Sequence, residues 1–181
     1  MIEECLKGNT GAWKMLVNDY SQRIFSLAYQ FSGSRVEAED LTQDIFLKLY
    51  NSLSKYDQQK NLTAWILTLT RNYLIDQYRK TKWEKKSRDE FDEYRYSADH
   101  STDPERNLLR EENKKMVWEG FNQLKPDIRI TVILRDIQGK KYEEIAEIME
   151  LPLGTIKSRV NRGRLQLAKI LKEKKEENDE L

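Results

Sequence analysis

Residues 142–164 read YEEIAEIMELPLGTIKSRVNRGR. Ile145, Ala146, Ile148 and Met149 recur at helical spacing and predict a short helix with one apolar face. Glu150-Leu151-Pro152 breaks the pattern, and Pro152 suits the first position of a following helix. On that second helix Leu153, Ile156, Val160 and Leu167 fall on one side. Thr155, Lys157, Ser158, Asn161 and Arg162 fall roughly opposite. Those are donors and acceptors suited to base edges and phosphates: Lys and Arg for guanine or phosphate, Asn for adenine, Ser and Thr for either. Two helices about a tight turn, the second with a polar reading face, is the helix-turn-helix arrangement.

The charge of the whole chain seems to argue against DNA. There are 32 Lys+Arg and 31 Asp+Glu in 181 residues, a formal net charge of +1. Nucleic-acid affinity must therefore come from local patches. Residues 151–175 supply one, with eight Lys/Arg against the single acid Glu173, a net of +7. The charge is compensated elsewhere, including an acidic tail of Glu176, Glu177, Asp179 and Glu180.

Upstream, the sequence punctuates itself into further helices. Residues 9–31 place Trp13, Leu16, Val17, Ile24, Leu27, Ala28 and Phe31 mostly at spacings of three and four, with Gly33 as the stop. Ser34-Arg35-Val36-Glu37 fits a capping box. The helix it opens is expected to run to about Leu53, with Leu41, Ile45, Phe46, Leu49 and Tyr50 inward. After a polar loop from Tyr56 to Asn61, a third helix from Leu62 to Trp83 is apolar on most sides, through Trp65, Ile66, Leu69, Tyr73 and Leu74. Such a helix must be sandwiched between others.

From Lys85 to Asp103 the apolar periodicity dissolves into a charged linker. Asp103-Pro104 then restarts a helix carrying Leu108, Leu109, Met116, Val117, Phe121 and Leu124. Pro126 opens another, with Ile130, Ile133, Leu134 and Ile137 inward and a stop near Gly139. The last helix is expected over about 153–173. The expectation is an all-α chain: a helical domain over 1–84, a flexible linker over 85–103, a second helical domain over 104–175, and an acidic tail over 176–181.

Several function classes find no support. Cys5 and His100 are each the sole residue of their type, so neither an intrachain disulfide nor a Cys-rich zinc site can form. No carboxylate spacing resembles a calcium loop, and no phosphate-binding Gly loop exists. No metal, cofactor or enzymatic activity is expected. No apolar run approaches the roughly 18 residues of a membrane span. The first ten residues, MIEECLKGNT, do not read as a secretory signal, so a cytoplasmic protein is expected.

A second basic patch accompanies the helix-turn-helix. Residues 71–88 hold seven Lys/Arg against Asp76 and Glu84, a net of +5, interleaved with Tyr73, Tyr78 and Trp83. Aromatics among cations suit unpaired strands, whose bases stack while phosphates pair. For Trp65 a place in the core is the simpler expectation. One unit suited to duplex and another to single strand is an unusual combination.

With these features the chain resembles the bacterial RNA polymerase sigma factors of the extracytoplasmic-function (ECF) group. The resemblance is carried by EAEDLTQDIFLKLY (37–50), AWILTLTRNYLIDQYRK (64–80) and LKPDIRITVILRDIQGKKYEEIAEIMELPLGTIKSRVNRGR (124–164). It implies sigma region 2 in the first domain, sigma region 4 in the second, and promoter-specific transcription initiation. Core RNA polymerase, promoter DNA and an anti-sigma factor are the implied partners. Asp40, Leu41, Gln43, Asp44 and Phe46 match the segment that docks on the clamp helices of the polymerase β′ subunit. Asn72, Asp76, Arg79 and Lys80 match the helix that reads the −10 element, where an unstacked base is held in a pocket walled by the loop 57–63. Thr155, Lys157, Ser158, Arg159, Asn161 and Arg162 match the helix that reads the −35 duplex.

Two positions depart from the family. Where a capping Ser or Thr is common before Tyr142, this chain has Lys141, preceded by Lys140. Losing a cap costs about 0.5–2 kcal/mol, and a Lys at a helix N-terminus opposes the dipole. Phosphate contacts by Lys140 and Lys141 are the expected gain. Leu165 lies on the polar side of the last helix, where polymerase or an inhibitor protein would explain it better than DNA. The competing readings are a dimeric helix-turn-helix regulator, which leaves 37–50 and 64–80 unexplained, and a nucleic-acid-processing enzyme.

Overall fold

Asn9 starts the first long helix. Its side chain accepts from the N–H groups of Gly11 at 2.9 Å and Ala12 at 3.2 Å, a cap contributing about 1 kcal/mol. In the computed structural model, which describes residues 1–88 and 115–179 (side chains of 84–88 and 177–179 aside), this helix is preceded by one short turn of helix. The elements in order are α1 (Ile2–Leu6), α2 (Thr10–Ser32), α3 (Arg35–Ser52), a 3-10 turn (Leu53–Lys55) and α4 (Leu62–Arg88). After the undescribed segment come α5, helical over 115–123, α6 (Pro126–Val132), α7 (Tyr142–Met149) and α8 (Leu153–Asp179). No strand occurs among the described residues.

The predicted punctuation appears where the chemistry requires it. Gly33 takes φ 75°, a left-handed conformation that glycine adopts without a Cβ clash, and its N–H donates to Tyr29 O. Ser34 Oγ then accepts from Glu37 N at 3.3 Å and opens α3. Pro126 occupies the first turn of α6. That helix ends in a π-helical turn, Ile133–Ile137, followed by Gly139 at φ 66°. Arg135 closes the corner by donating to Lys140 O at 2.7 Å and covering the Tyr142 ring.

The first unit packs α2, α3 and α4 around Leu16, Ile24, Leu27, Ile45, Leu49, Ile66 and Leu74, all essentially inaccessible to water. Each such side chain contributes roughly 1.5–3 kcal/mol of burial. In the second unit α6 crosses α8 closely because Gly163 lies against Ile128 and Val132. Ile130, Ile133, Ile145, Ile156 and Val160 fill the space beneath.

The two units share one continuous core. Thr68 Oγ1 on α4 donates to Ile148 O on α7 at 3.0 Å. Gln138 donates to Gln30 at 3.0 Å. The Trp118 indole lies directly on Gly33, in space that a Cβ would occupy. Arg129 of α6 is 1% exposed and enters the first unit. Its guanidinium stacks on Phe31 and Tyr78 and donates to Phe31 O at 3.3 Å and Asn122 O at 2.8 Å. Burying a cation is costly. Two aromatic faces and a carbonyl at the negative end of α2 offset that cost.

Several expectations need correction. Val17, Tyr50 and Ile137 are exposed rather than inward. Each lies beside a true core position, and period alone does not resolve neighbours at the edge of an apolar stripe. Trp65 is half-buried, packed on Tyr56 with centroids 4.9 Å apart. Helix α4 continues past Trp83 through Arg88, so the first residues of the expected linker are helical. Helix α8 runs past 173 to Asp179, carrying most of the acidic tail, with Glu176 pairing Lys172 one turn back at 3.7 Å. The remainder of the linker, His100, the Asp103-Pro104 start, and Leu108 and Leu109 lie outside the described residues.

Candidate nucleic-acid and polymerase interfaces

The helix-turn-helix is built on a strained turn. Glu150 adopts φ 54°, rare for a residue with a Cβ, and Leu151 N donates back to Ala146 O. This aims α8 with Ile156, Val160 and Gly163 buried beneath it. Lys157, Ser158, Asn161 and Arg162 are exposed on the opposite side, while Thr155 and Arg159 are half-buried at its margins. Arg164 is committed elsewhere: its Nε donates to Asp136 Oδ2 at 2.9 Å, and this pairing raises its already high proton affinity. Leu165 is 67% exposed.

Lys141 caps α7 only in part. Glu144 Oε2 accepts from Lys141 N–H at 2.8 Å. The reciprocal half of a capping box needs an acceptor, which an ammonium cannot provide. The Lys141 side chain is exposed.

On α4, Asn72, Asp76, Arg79 and Lys80 are all exposed, and spacings of four, three and one put them on one stripe. The loop 56–61 and the first turn of α4 are held at several points. Asp57 Oδ1 accepts from Gln59 N at 3.0 Å, and Asn61 caps α4 through Ala64 N at 3.1 Å. Thr63 Oγ1 meets Tyr20 Oη at 3.1 Å and Arg23 at 3.3 Å. Of the three aromatics expected as stacking surfaces, two are covered. Lys48 lies over Tyr73, and Arg129 lies over Tyr78. Trp83 is 73% exposed.

On α3, Asp40 and Gln43 are exposed, whereas Leu41 and Phe46 are half-buried against the core. Asp44 is exposed but accepts from Tyr73 Oη at 2.8 Å. Burial first, then this bond to Asp44, pushes the Tyr73 hydroxyl above its usual pKa. Sequence reasoning missed an apolar stripe on the same helix: Val36, Leu47 and Tyr50 are 66%, 64% and 61% exposed. With Asp40 and Gln43 they recur at alternating spacings of four and three, the seam spacing of paired helices. That spacing was legible, but any apolar residue on a helix is first assigned to its own core.

Residues 16–84 match the family described as Sigma-70 region 2, and residues 114–167 match Sigma-70, region 4. The chain belongs to the sigma-70 family, in its ECF group. The region 2 match spans most of α2, all of α3 and α4 as far as residue 84, and the region 4 match spans α5 to α7 and α8 as far as residue 167. The RNA polymerase sigma-H factor of Pseudomonas aeruginosa is 29% identical over 177 residues, covering 94% of this chain and 92% of that protein. The ECF RNA polymerase sigma-E factor of Escherichia coli K12 is 29% identical over 170 residues, covering 91% and 88%. Among solved structures, the sigma factor RpoE of Bartonella quintana, in complex with the anti-sigma factor NepR, superposes with a TM-score of 0.67. It is 29% identical, over 89% of this chain and 97% of that one. This sigma factor acts with RNA polymerase in promoter-specific transcription initiation. No helix among the described residues is long and apolar enough to cross a membrane, and no group of three His, Cys, Asp or Glu is placed to hold a metal ion.

Proposed function

We propose that three faces divide the work of initiation. Asn72, Asp76, Arg79 and Lys80 on α4, with the loop 57–63, capture the unpaired −10 element. Lys141, Thr155, Lys157, Ser158, Arg159, Asn161 and Arg162 read the −35 duplex. Asp40, Gln43 and Asp44, flanked by Leu41 and Phe46, dock on the β′ clamp. No covalent chemistry is performed; the work of opening DNA comes from binding bases once they leave the stack. An anti-sigma factor is a further partner, and the setting is the cytoplasm.

The observation that carries this reading is the division of α8. Lys157, Ser158, Asn161 and Arg162 face outward over a back of Ile156, Val160 and Gly163. A solvated charged helix has no need of amide and hydroxyl groups grouped beside its cations. The test is to combine the protein with core RNA polymerase and a library of promoter fragments, then sequence the transcripts. Transcripts sharing two spaced motifs are expected. Output no higher than core alone would remove the assignment.

A further inference from the structure

The loop between the 3-10 turn and α4 has nothing to bury. Asp57, Gln58, Gln59, Lys60 and Asn61 are all polar and all exposed. Such a segment is ordered by hydrogen bonds, because no apolar contact offsets the entropy of fixing it. One half-buried side chain spans it. Tyr56 Oη donates to Lys60 O, tying the residue that enters the loop to the backbone near its exit. Lys60 N donates back to Asp57 O at 3.0 Å, and Asp57 Oδ1 accepts from Gln59 N at 3.0 Å, which closes the turn between them. The Tyr56 ring is anchored on Trp65 of α4, with centroids 4.9 Å apart and planes at 47°. Burial, then the nearby Tyr20 and Asp57, push the Tyr56 hydroxyl above its ordinary pKa, so it remains a donor across the neutral range.

We propose that Tyr56 is a positioning residue for base selection, its hydroxyl fixing the loop before a base arrives. The inference rests on the −10 assignment of the loop 57–63. A wall of exposed polar side chains discriminates between bases only while its backbone holds one shape. A loose wall re-forms around each base and makes comparable bonds to all of them, and it loses affinity to its own ordering. The exposed amides of Gln58 and Gln59, groups that can pair with a base edge, stand on the segment so fixed. Tyr56 acts through that segment and not by contact with DNA.

The test combines the full chain with core RNA polymerase and a promoter library randomised across the −10 and −35 elements, then sequences the transcripts. Tyr56→Phe keeps the ring on Trp65 and removes only the hydroxyl. Preference for the favoured base at one −10 position is expected to fall roughly fivefold, the equivalent of one hydrogen bond, with −35 preferences unchanged. Lys60→Gly loosens the same segment from its other end with Tyr56 intact, and should cut the same preference. It keeps the test informative if Tyr56→Phe fails to fold. A hydroxyl that merely stabilises the fold would lower total transcript and leave every base ratio as in the parent. Unchanged ratios in either variant overturn the proposal, as does an equal loss of preference at −10 and −35 positions. A parent with −35 preference but none at −10 removes the −10 assignment and this inference with it, so the two failures are told apart.

Discussion

Tyr73 Oη donates to Asp44 Oδ2 at 2.8 Å, joining the proposed −10 helix to the proposed clamp-docking helix. Lys48 lies over the same ring, at 5.2 Å from its centroid. One tyrosine therefore bridges α3 and α4. It also orients a carboxylate that the sequence suggests is offered to polymerase.

Tyr73→Phe removes that bond and leaves the ring. A stability loss of about 1–2 kcal/mol is expected in urea denaturation. The pH dependence has a definite sign. The folded pKa of Tyr73 is raised above 10.0, first by burial and then by its bond to Asp44. Its contribution is therefore intact below the unfolded pKa and is lost as pH rises through the higher folded value. Stability should fall on the alkaline side of about pH 10, and Tyr73→Phe should flatten part of that fall. Tyr56, also raised by burial, keeps the rest.

Gly163→Ala weighs two opposed effects. Alanine favours a helix interior over glycine by about 1 kcal/mol. The added Cβ would stand 2.8 Å from Ile128 Cγ2 and closer still to Val132. Both neighbours are β-branched and stiff, so overpacking at about 1–3 kcal/mol should win. A lowered urea midpoint and weaker −35 binding are expected. An unchanged or raised midpoint would show that α6 and α8 can part at no cost.

Lys141→Ser should separate stability from binding. Serine can complete the box that Glu144 half-forms, raising stability by about 0.5–2 kcal/mol. Loss of the ammonium should weaken promoter affinity and lower the slope of log affinity against log salt by about 0.9. If affinity and slope stay put, Lys141 touches no phosphate.

Asn161→Ala and Lys157→Ala should differ in kind. Removing an amide that reads a base edge relaxes preference at one position by about 1–3 kcal/mol. Removing a phosphate-contacting cation weakens all sequences alike and lowers the salt slope. Binding to a randomised −35 library at two salt concentrations tells them apart.

Leu47→Asp places a charge in the exposed stripe of α3. Affinity for core polymerase should fall by roughly tenfold or more, as for a buried interface anchor. Isolated −35 duplex binding should not change, since Leu47 is on the other unit. Equal polymerase affinity would return the stripe to ordinary surface.

The order of helices, their caps and the two-faced character of α8 were legible in the sequence, because they depend on local rules. Apolar period, Gly33 and Pro126 act within a few residues of themselves. Phe31, Ile45, Ile130 and Ile156 could be assigned inward for the same reason. Val17, Tyr50 and Ile137 could not be resolved, because the edge of an apolar stripe is decided by what packs beside it. The partners of Arg71, Arg79 and Arg129 lie in the sequence tens of residues away. A guanidinium reads equally well as a phosphate contact, a surface charge or a buried stack. Only the tertiary structure, by bringing α6 and α7 against α4, decided which: Glu150 and Asp127 take the charges, and Phe31 and Tyr78 take the planar face. The sequence by itself determined which helices carry a polar and cationic stripe; which of those side chains pair across the two units is a property of how the units dock.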